Sequence, residues 1–173
     1  SAMAGQLERI TKERVQVELT KLLLGTHPRR GIELLVDTGL CAYVLPEVPA
    51  MQLAIDEHMQ HKDVYTHSLV VLEQAIDREP AGPDLVLRLA ALLHDIGKPA
   101  TRRKEADGRV SFHHHEVIGA KLTRRRLREL RYPKAVVDEV AQLVFLHLRF
   151  HGYGTGEWTD SAVRRYVTDA GPL

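Results

Sequence analysis

The stretch that decides the fold is "ALLHDIGKP", residues 91–99. The apolar run that leads into it has leucines at helical spacing, which predicts a buried helix. That helix finishes with His94 and Asp95, two adjacent side chains that are costly to bury unless another group compensates them. Consecutive helical side chains project about 100° apart, so both reach one point only near a helix end, which Gly97 supplies. We therefore expect a functional site where this core helix stops.

The composition is that of an ordinary globular domain, with 173 residues, 44% of them hydrophobic and 27% charged. A net charge of +1 gives no global case for nucleic-acid binding, so any RNA contact must come from local clusters. Aromatic residues make up only 5%, which argues against a base-stacking surface. There is a single cysteine, Cys41, and no apolar run approaches membrane length. We expect a cytoplasmic protein without a membrane partner.

Apolar periodicity predicts helices nearly throughout the chain, and therefore an all-α fold. The expected helices cover residues 7–24, 28–38, 64–79, 84–96, 115–130, 134–148 and 161–168. Residues 98–115 are predicted to form a polar loop, in which Asp107 and Gly108 could turn a small hairpin. Pro46 and Pro49 interrupt a short helical turn and mark the best candidate for a domain boundary.

Four of the ten histidines are predicted to point into the helical core. These are His67, His94, His115 and His147. The first two and the last share helix faces with apolar residues, and the third precedes Gly119 by one turn, where a glycine lets a neighbour approach closely. Helical bundles build metal sites from such inward side chains, and a bound cation would remove the cost of burying Asp95.

Each of these histidines also has a simpler interpretation when it is taken alone. A single inward histidine is more often a core residue that hydrogen-bonds a carbonyl. The run "HHHE", residues 113–116, could be the solvated start of a helix, with Glu116 favoured by the helix dipole. Four inward histidines on four helices are hard to explain as independent accidents, so we favour a metal site.

The histidine motifs occur in a specific order along the chain. "HDIGKP" is preceded by "YTHSLVVLE" (residues 65–73) and followed by "HHEVIGAKL" (114–122) and "FLHLRFH" (145–151). This combination resembles the HD-domain superfamily of metal-dependent phosphohydrolases. The resemblance implies that His67, His94 and Asp95 bind a first metal ion. It also matches His115 and His147 to the additional histidines of members with two metal ions.

The segment ahead of these motifs carries a second resemblance. "ERVQVELTKLLLGTHPRRGIELLVDTGLCAYVLPEV", residues 13–48, resembles the neck that precedes the HD domain in bacterial CCA-adding tRNA nucleotidyltransferases and related poly(A) polymerases. Arg14, Glu18 and Lys21 match an R-x-x-x-E-x-x-K pattern there. Helical charge pairs would also explain these residues, but the surrounding match favours the family pattern. "WTDSAVRRYV" (158–167) is also typical, especially of actinobacterial members.

The two resemblances together imply an HD-domain helical bundle preceded by short neck helices. We expect residues 1–5 to be an expression scar, 6–50 a neck-like segment, 51–155 the HD domain, and 156–173 the start of a truncated C-terminal helical segment. The N-terminal nucleotidyltransferase head of the parent family is not recognisable, because the sequence contains no Gly-Ser loop followed by paired aspartates. Nucleotide addition is therefore expected only from the full-length parent.

The last metal ligand of HD domains is usually an aspartate in a helix after the final histidine. Asp160 is the candidate here, with Asp169 as an alternative. Asp160 would serve equally well as the N-cap of the last predicted helix. The family's aspartate could also lie beyond Leu173, in which case the site would be incomplete.

The resemblance implies a phosphohydrolase with one or two divalent ions, for which Ni, Mn, Fe, Zn and Mg all fit the ligands to some degree. Asp95 would ligate or bridge the ions and could accept a proton. Lys98 could hold a phosphate as a point charge, or be an ordinary loop lysine. The expected substrates are phosphoesters such as 2′,3′-cyclic or 2′-phosphates of nucleotides or RNA ends.

A non-catalytic alternative is a helical body that positions RNA or tRNA and keeps only a vestigial metal site. The predicted helix over 115–130 places Arg124, Arg128 and Arg131 on one face, suited to phosphate contacts, and "RRK" at 102–104 adds local positive charge. For any one of these arginines, a solvated helix face is the simpler interpretation.

Overall fold

The computed structural model describes residues 10–53, 64–108 and 110–150, and the side chains of all of these except residues 149 and 150. The helices are α1 (Lys12–Leu24), α2 (Pro28–Asp37), α3 (Cys41–Val44), α4 (Glu47–Ala50), α5 (Val64–Ile76), α6 (Leu85–Leu93), α7 (Lys98–Thr101), α8 (His115–Glu129) and α9 (Lys134–Leu146). Single 3-10 turns follow at Met51–Leu53 and His147–Phe150. The prediction of an all-α fold is confirmed. Within the described ranges, no helix is long and apolar enough to cross a membrane.

The helix starts follow from their capping residues. The Thr11 side chain accepts a hydrogen bond from the Arg14 amide at 3.4 Å, so α1 begins later than the periodicity predicted. The Asp84 carboxylate caps α6 in the same way, accepting from the Leu87 amide at 3.0 Å. Pro28 occupies the first turn of α2, where its missing N–H costs nothing.

Several helices stop earlier than the periodicity predicted: α5 ends at Ile76 rather than at residue 79, and the two helices that lead into His94 and His147 also end early. The helix expected to run to residue 96 ends at Leu93, and the helix expected to run to residue 148 ends at Leu146. In each case the next residue, His94 or His147, is the C-cap. Apolar spacing continues through both segments, so periodicity alone could not show that a turn replaces the helix there.

The predicted polar loop is partly wrong. Residues 98–101 form the short helix α7, with Pro99 in its first turn. The predicted hairpin is confirmed: β1 (Arg103–Lys104) pairs antiparallel with β2 (Val110–Ser111). Gly108 lies in the turn with a φ of +86°, a left-handed conformation that glycine adopts without strain.

One hydrophobic cluster joins the first helices to the histidine-bearing helices. It includes Leu23 and Ile32 from α1 and α2, together with Leu72 and Leu127 from α5 and α8. Arg88 of α6, 4% exposed, donates to the carbonyls of Leu23 and Gly25 at 2.6 and 3.0 Å, which satisfies the end of α1. The neck-like helices are therefore packed against the bundle core.

Arg88 is neutralised by a buried carboxylate. Its guanidinium makes two hydrogen bonds of 2.6 Å to Glu79, a fork-to-fork geometry. These hydrogen bonds from Arg88 lower the pKa of Glu79 below its ordinary value. The pair connects the loop before α6 to the end of α1.

The turn after α6 lies directly on the first turns of α8. A Cβ atom on Gly97 would lie 2.1 Å from the His115 carbonyl oxygen and 2.7 Å from the Gly119 nitrogen. A Cβ atom on Gly119 would have its nearest contact at 3.3 Å, with a Val144 methyl group. The close approach predicted at Gly119 is therefore confirmed. Gly97 is the position where a side chain would clash more severely with the other helix.

We expect Gly97→Ala to lower the free energy of unfolding by about 3 kcal/mol, because backbone atoms rather than flexible side chains must move. Gly119→Ala is the matched control, for which we expect a decrease of about 1 kcal/mol or less. Urea denaturation followed by circular dichroism measures both. Equal stabilities for the two variants would show that the α6–α8 approach is looser than described.

Candidate metal centre

Five polar side chains from four parts of the bundle converge at one point. They are His67 of α5, His94 and Asp95 after α6, His115 at the start of α8, and His147 at the end of α9. Asp95 lies at the centre, with a side chain only 2% exposed. The predicted residues are thus brought together, except Asp160, which lies outside the described residues.

The two oxygens of Asp95 each face a pair of imidazoles. Oδ2 lies 3.1 Å from His94 Nε2 and 3.8 Å from His67 Nε2. Oδ1 lies 3.3 Å from His115 Nε2 and 3.6 Å from His147 Nε2. In each of the two groups, the ligand atoms all lie within 4.8 Å of one another. The carboxylate is therefore common to both groups, each of which could hold an ion.

Backbone carbonyls orient three of the four rings in the same way. Nδ1 lies 2.8 Å from the Ala91 oxygen in His94, 2.8 Å from the Phe112 oxygen in His115, and 2.6 Å from the Val144 oxygen in His147. A carbonyl can only accept, so Nδ1 carries the proton and donates it. In the neutral imidazole, Nε2 then presents its lone pair to Asp95. This is the arrangement in which metal-ligating histidines are held.

These lone pairs face one another, an arrangement that a cation between them would stabilise. His115 Nε2 and His147 Nε2 are 3.2 Å apart, and both point at the ionised oxygen of Asp95. Two donors that lie about 2.1 Å from one ion are separated by roughly 3 to 3.4 Å, close to the distances seen here. Imidazole nitrogen and carboxylate oxygen are ligands of the first-row divalent metals. The residues therefore fit a divalent ion. Without an ion, protons on Nε2 would supply the positive charge between these groups.

The ionisation of the cluster follows from its burial and its charges. Burial favours the neutral form of Asp95, but charge on His94 and hydrogen bonds with His115 and His147 outweigh it, and its pKa lies far below the usual range. Burial lowers the pKa of His147. For His115 the hydrogen bond to Asp95 overcomes the burial that would lower its pKa, and the pKa is raised. Asp95 is thus an anion at any physiological pH.

Lys98 is not the ordinary loop lysine that was one of its two interpretations from the sequence. It begins α7, is 4% exposed, and places Nζ 3.1 Å from Asp95 Oδ2. The ammonium also lies 5.6 Å from the centre of the Phe112 ring. Lys98 therefore compensates the negative charge on the side of Asp95 that faces His67 and His94. A contact with phosphate remains a prediction.

The three predicted RNA-binding arginines do not share one helix face. Arg124 and Arg128 lie on α8, half-buried and exposed respectively. Arg131 lies beyond the end of the helix with a φ of +64°, and its Nε is 3.7 Å from a Glu13 oxygen. The Tyr132 amide donates to the Leu127 carbonyl at 3.0 Å, which is the Schellman ending that stops the helix before Arg131.

Sequence inspection missed the carbonyls that orient the rings. Each one belongs to the residue three positions before its histidine, namely Ala91, Phe112 and Val144. For His94 and His147, each the C-cap of a helix, a last-turn carbonyl without an intrahelical amide partner is the signal that could have identified two of them; His115 begins α8 and offers no such signal.

Two protein-family models match the chain. Residues 64–170 match the HD domain, and residues 1–51 match a family described as "probable RNA and SrmB-binding site of polymerase A". The A-adding tRNA nucleotidyltransferase of Deinococcus radiodurans is 42% identical over 84% of this chain and 33% of its own length. The CC-adding enzyme of Thermus thermophilus is 39% identical over 79% of this chain and 32% of its own.

A further relative is the multifunctional CCA protein of Pasteurella multocida, 30% identical over 87% of this chain and 36% of its own length. The chain thus spans about a third of the length of these curated relatives. They confirm the resemblance to tRNA nucleotidyltransferases, whereas the actinobacterial origin stays a prediction. The match over residues 64–170 covers more than half of the 173 residues, and the chain belongs to the HD domain family.

Proposed function

We propose that this chain is the HD part of a tRNA nucleotidyltransferase and that its His–Asp cluster is a phosphohydrolase site. The expected substrates are phosphoesters such as 2′,3′-cyclic or 2′-phosphates of nucleotides or RNA ends. The observation that carries the proposal is the buried Asp95 carboxylate with imidazole Nε2 atoms on both of its oxygens. Nucleotide addition and a cytoplasmic location would be properties of a longer protein that also carries a nucleotidyltransferase head.

Two ion positions follow from the geometry of the cluster. His67, His94 and Asp95 would hold one ion, and Asp95, His115 and His147 would hold the other. Asp160 stays a candidate for a further ligand. Divalent ions bound here would supply Lewis acidity to a phosphoryl oxygen and acidify water near neutral pH. Histidine-rich ligands favour Ni, Mn, Fe or Zn over Mg.

The protein residues themselves would position and protonate the reactants. Hydrolysis of a 2′,3′-cyclic phosphate adds one water, breaks the P–O bond to one ribose oxygen, protonates that oxygen and leaves a phosphomonoester. Asp95 stays ionised and would serve as the anionic ligand of both positions, because a pKa far below the usual range makes its carboxylate a poor proton acceptor. Lys98 presents an ammonium 3.1 Å from Asp95, where its remaining N–H groups can donate to an anionic phosphoryl oxygen.

We expect Asp95→Asn to abolish phosphate-ester hydrolysis, because the amide cannot serve as an anionic ligand to both positions. His115→Ala should reduce the metal content by about one ion per chain and remove most of the activity, since one position then lacks a ligand. His113→Ala is the matched control: its ring is 74% exposed, two residues away, and should leave both properties unchanged. The assays are elemental analysis and turnover of 2′,3′-cyclic AMP with Mn²⁺ or Ni²⁺. Undiminished turnover by Asp95→Asn, or none by the metal-loaded wild type, would reject the phosphohydrolase.

The second candidate function is tRNA positioning without catalysis. The observation that favours it is the exposed surface of α8, where Arg124 and Arg128 form no ion pair within 4 Å among the described residues. Arg126 on the same helix is bound instead to Glu47, at 2.9 to 3.1 Å. Arginines without a direct ion-pair partner in the protein can contact phosphates.

We expect Arg128→Ala to weaken tRNA binding and to reduce the slope of log Kd against log salt by about one. Arg78→Ala is the matched control, an exposed arginine after α5 whose guanidinium donates to the Gln74 carbonyl. Filter binding over a range of KCl concentrations measures both variants. Identical salt slopes for wild type and Arg128→Ala would exclude this surface as a tRNA contact.

A further inference from the structure

The β1–β2 hairpin lies in the chain between α7 and α8, two helices whose first residues belong to or contact the His–Asp cluster. β1 follows α7, whose first residue, Lys98, contacts Asp95. β2 leads directly into Phe112, whose carbonyl holds Nδ1 of His115 at 2.8 Å. The strand register places Arg103 opposite Ser111, the residue next to Phe112. The base of the hairpin is therefore within a few residues of both halves of the cluster.

The base of the hairpin carries positive charge that the protein leaves unneutralised. Arg103 and Lys104 are both exposed, and neither forms an ion pair with any residue that the structure describes. The nearest acid in the chain, Glu105, is already engaged: it accepts a hydrogen bond from the Ser111 hydroxyl and lies 3.9 Å from His113 Nε2. A polyanion that approaches the cluster would meet these two cations without displacing an internal partner.

The two cations lie on opposite faces of the hairpin, since successive strand residues alternate. Lys104 shares a face with its partner Val110, which packs against the hydrophobic core. Phe112, two residues after Val110, lies near the Lys98 ammonium, so this face is turned towards the cluster. Arg103 shares the other face with Ser111. The hairpin thus offers a cation on each side of its base.

We propose that Lys104, on the face turned towards the cluster, binds the phosphate next upstream of the reacting phosphoester and that Arg103, on the other face, binds one further upstream, so that the preferred substrate is the 3′ end of an RNA strand. This rests on the proposed phosphohydrolase and specifies its substrate class. A mononucleotide has one phosphate, which the cluster itself must take. Only an oligonucleotide has further phosphates for the hairpin, and each such contact contributes affinity that decreases with salt.

The test compares 2′,3′-cyclic AMP with a pentaadenylate that ends in a 2′,3′-cyclic phosphate. For the Arg103→Ala/Lys104→Ala double variant, KM for the pentaadenylate should rise about five- to tenfold at unchanged kcat. Its KM for cyclic AMP should not change. The matched control is Arg78→Ala/Lys134→Ala, which removes two exposed charges, one just after α5 and one at the start of α9, outside the residues that match the RNA-binding family model. That control should behave as wild type with both substrates.

Binding provides a readout that does not depend on turnover. Fluorescence anisotropy of the 5′-labelled pentaadenylate should show the same decrease in affinity, with a salt slope reduced by about 0.7 for each phosphate that the variant no longer binds. If neither substrate is hydrolysed but the double variant still binds more weakly, the phosphohydrolase fails and the hairpin proposal stands. The hairpin proposal is overturned by unchanged affinity, by an equal KM rise for cyclic AMP, or by the same decrease in the Arg78→Ala/Lys134→Ala control.

Discussion

The carboxylate of Asp95 is the group on which the rest of the structure depends. It is 2% exposed, and an isolated buried carboxylate would cost several kcal/mol. Four imidazoles and the Lys98 ammonium surround it, so that each oxygen has cationic or cation-binding neighbours. Residues from α5, from the ends of α6 and α9, and from the start of α8 meet at this one point.

That constraint explains where the helices end and how closely they pack. His94 and His147 are C-caps, and in both the ring is held by the carbonyl three residues earlier. The end of α6 can lie on α8 only because Gly97 has no side chain, since a Cβ atom would fall 2.1 Å from the His115 carbonyl. Ring orientation, helix termination and glycine placement are therefore parts of one arrangement, in which Nε2 lone pairs are aimed at a shared anion.

Much of this was predictable from the sequence, because helical periodicity determines which face a side chain occupies. Inward spacing identified His67, His94 and His147, the glycine one turn later identified His115, and "DG" identified the hairpin. The burial of Lys98 was not predictable, because it depends on α7 forming where a polar loop was expected. Arg131 was wrongly predicted to lie on the α8 face, because it adopts a left-handed conformation past the end of that helix and its side chain approaches Glu13. Tertiary contacts decide both, and local spacing carries no information about them.

The central claim is that Asp95 bridges two ion positions. Anomalous diffraction from crystals of this chain soaked in Mn²⁺, recorded near the manganese edge, tests it most directly. The account predicts two peaks on opposite sides of the Asp95 carboxylate, roughly 3.5–4 Å apart, one beside His67 and His94 and the other beside His115 and His147. Fully soaked crystals with no peak within direct ligation distance of Asp95, or with one peak that leaves half of the imidazoles unliganded, would contradict it.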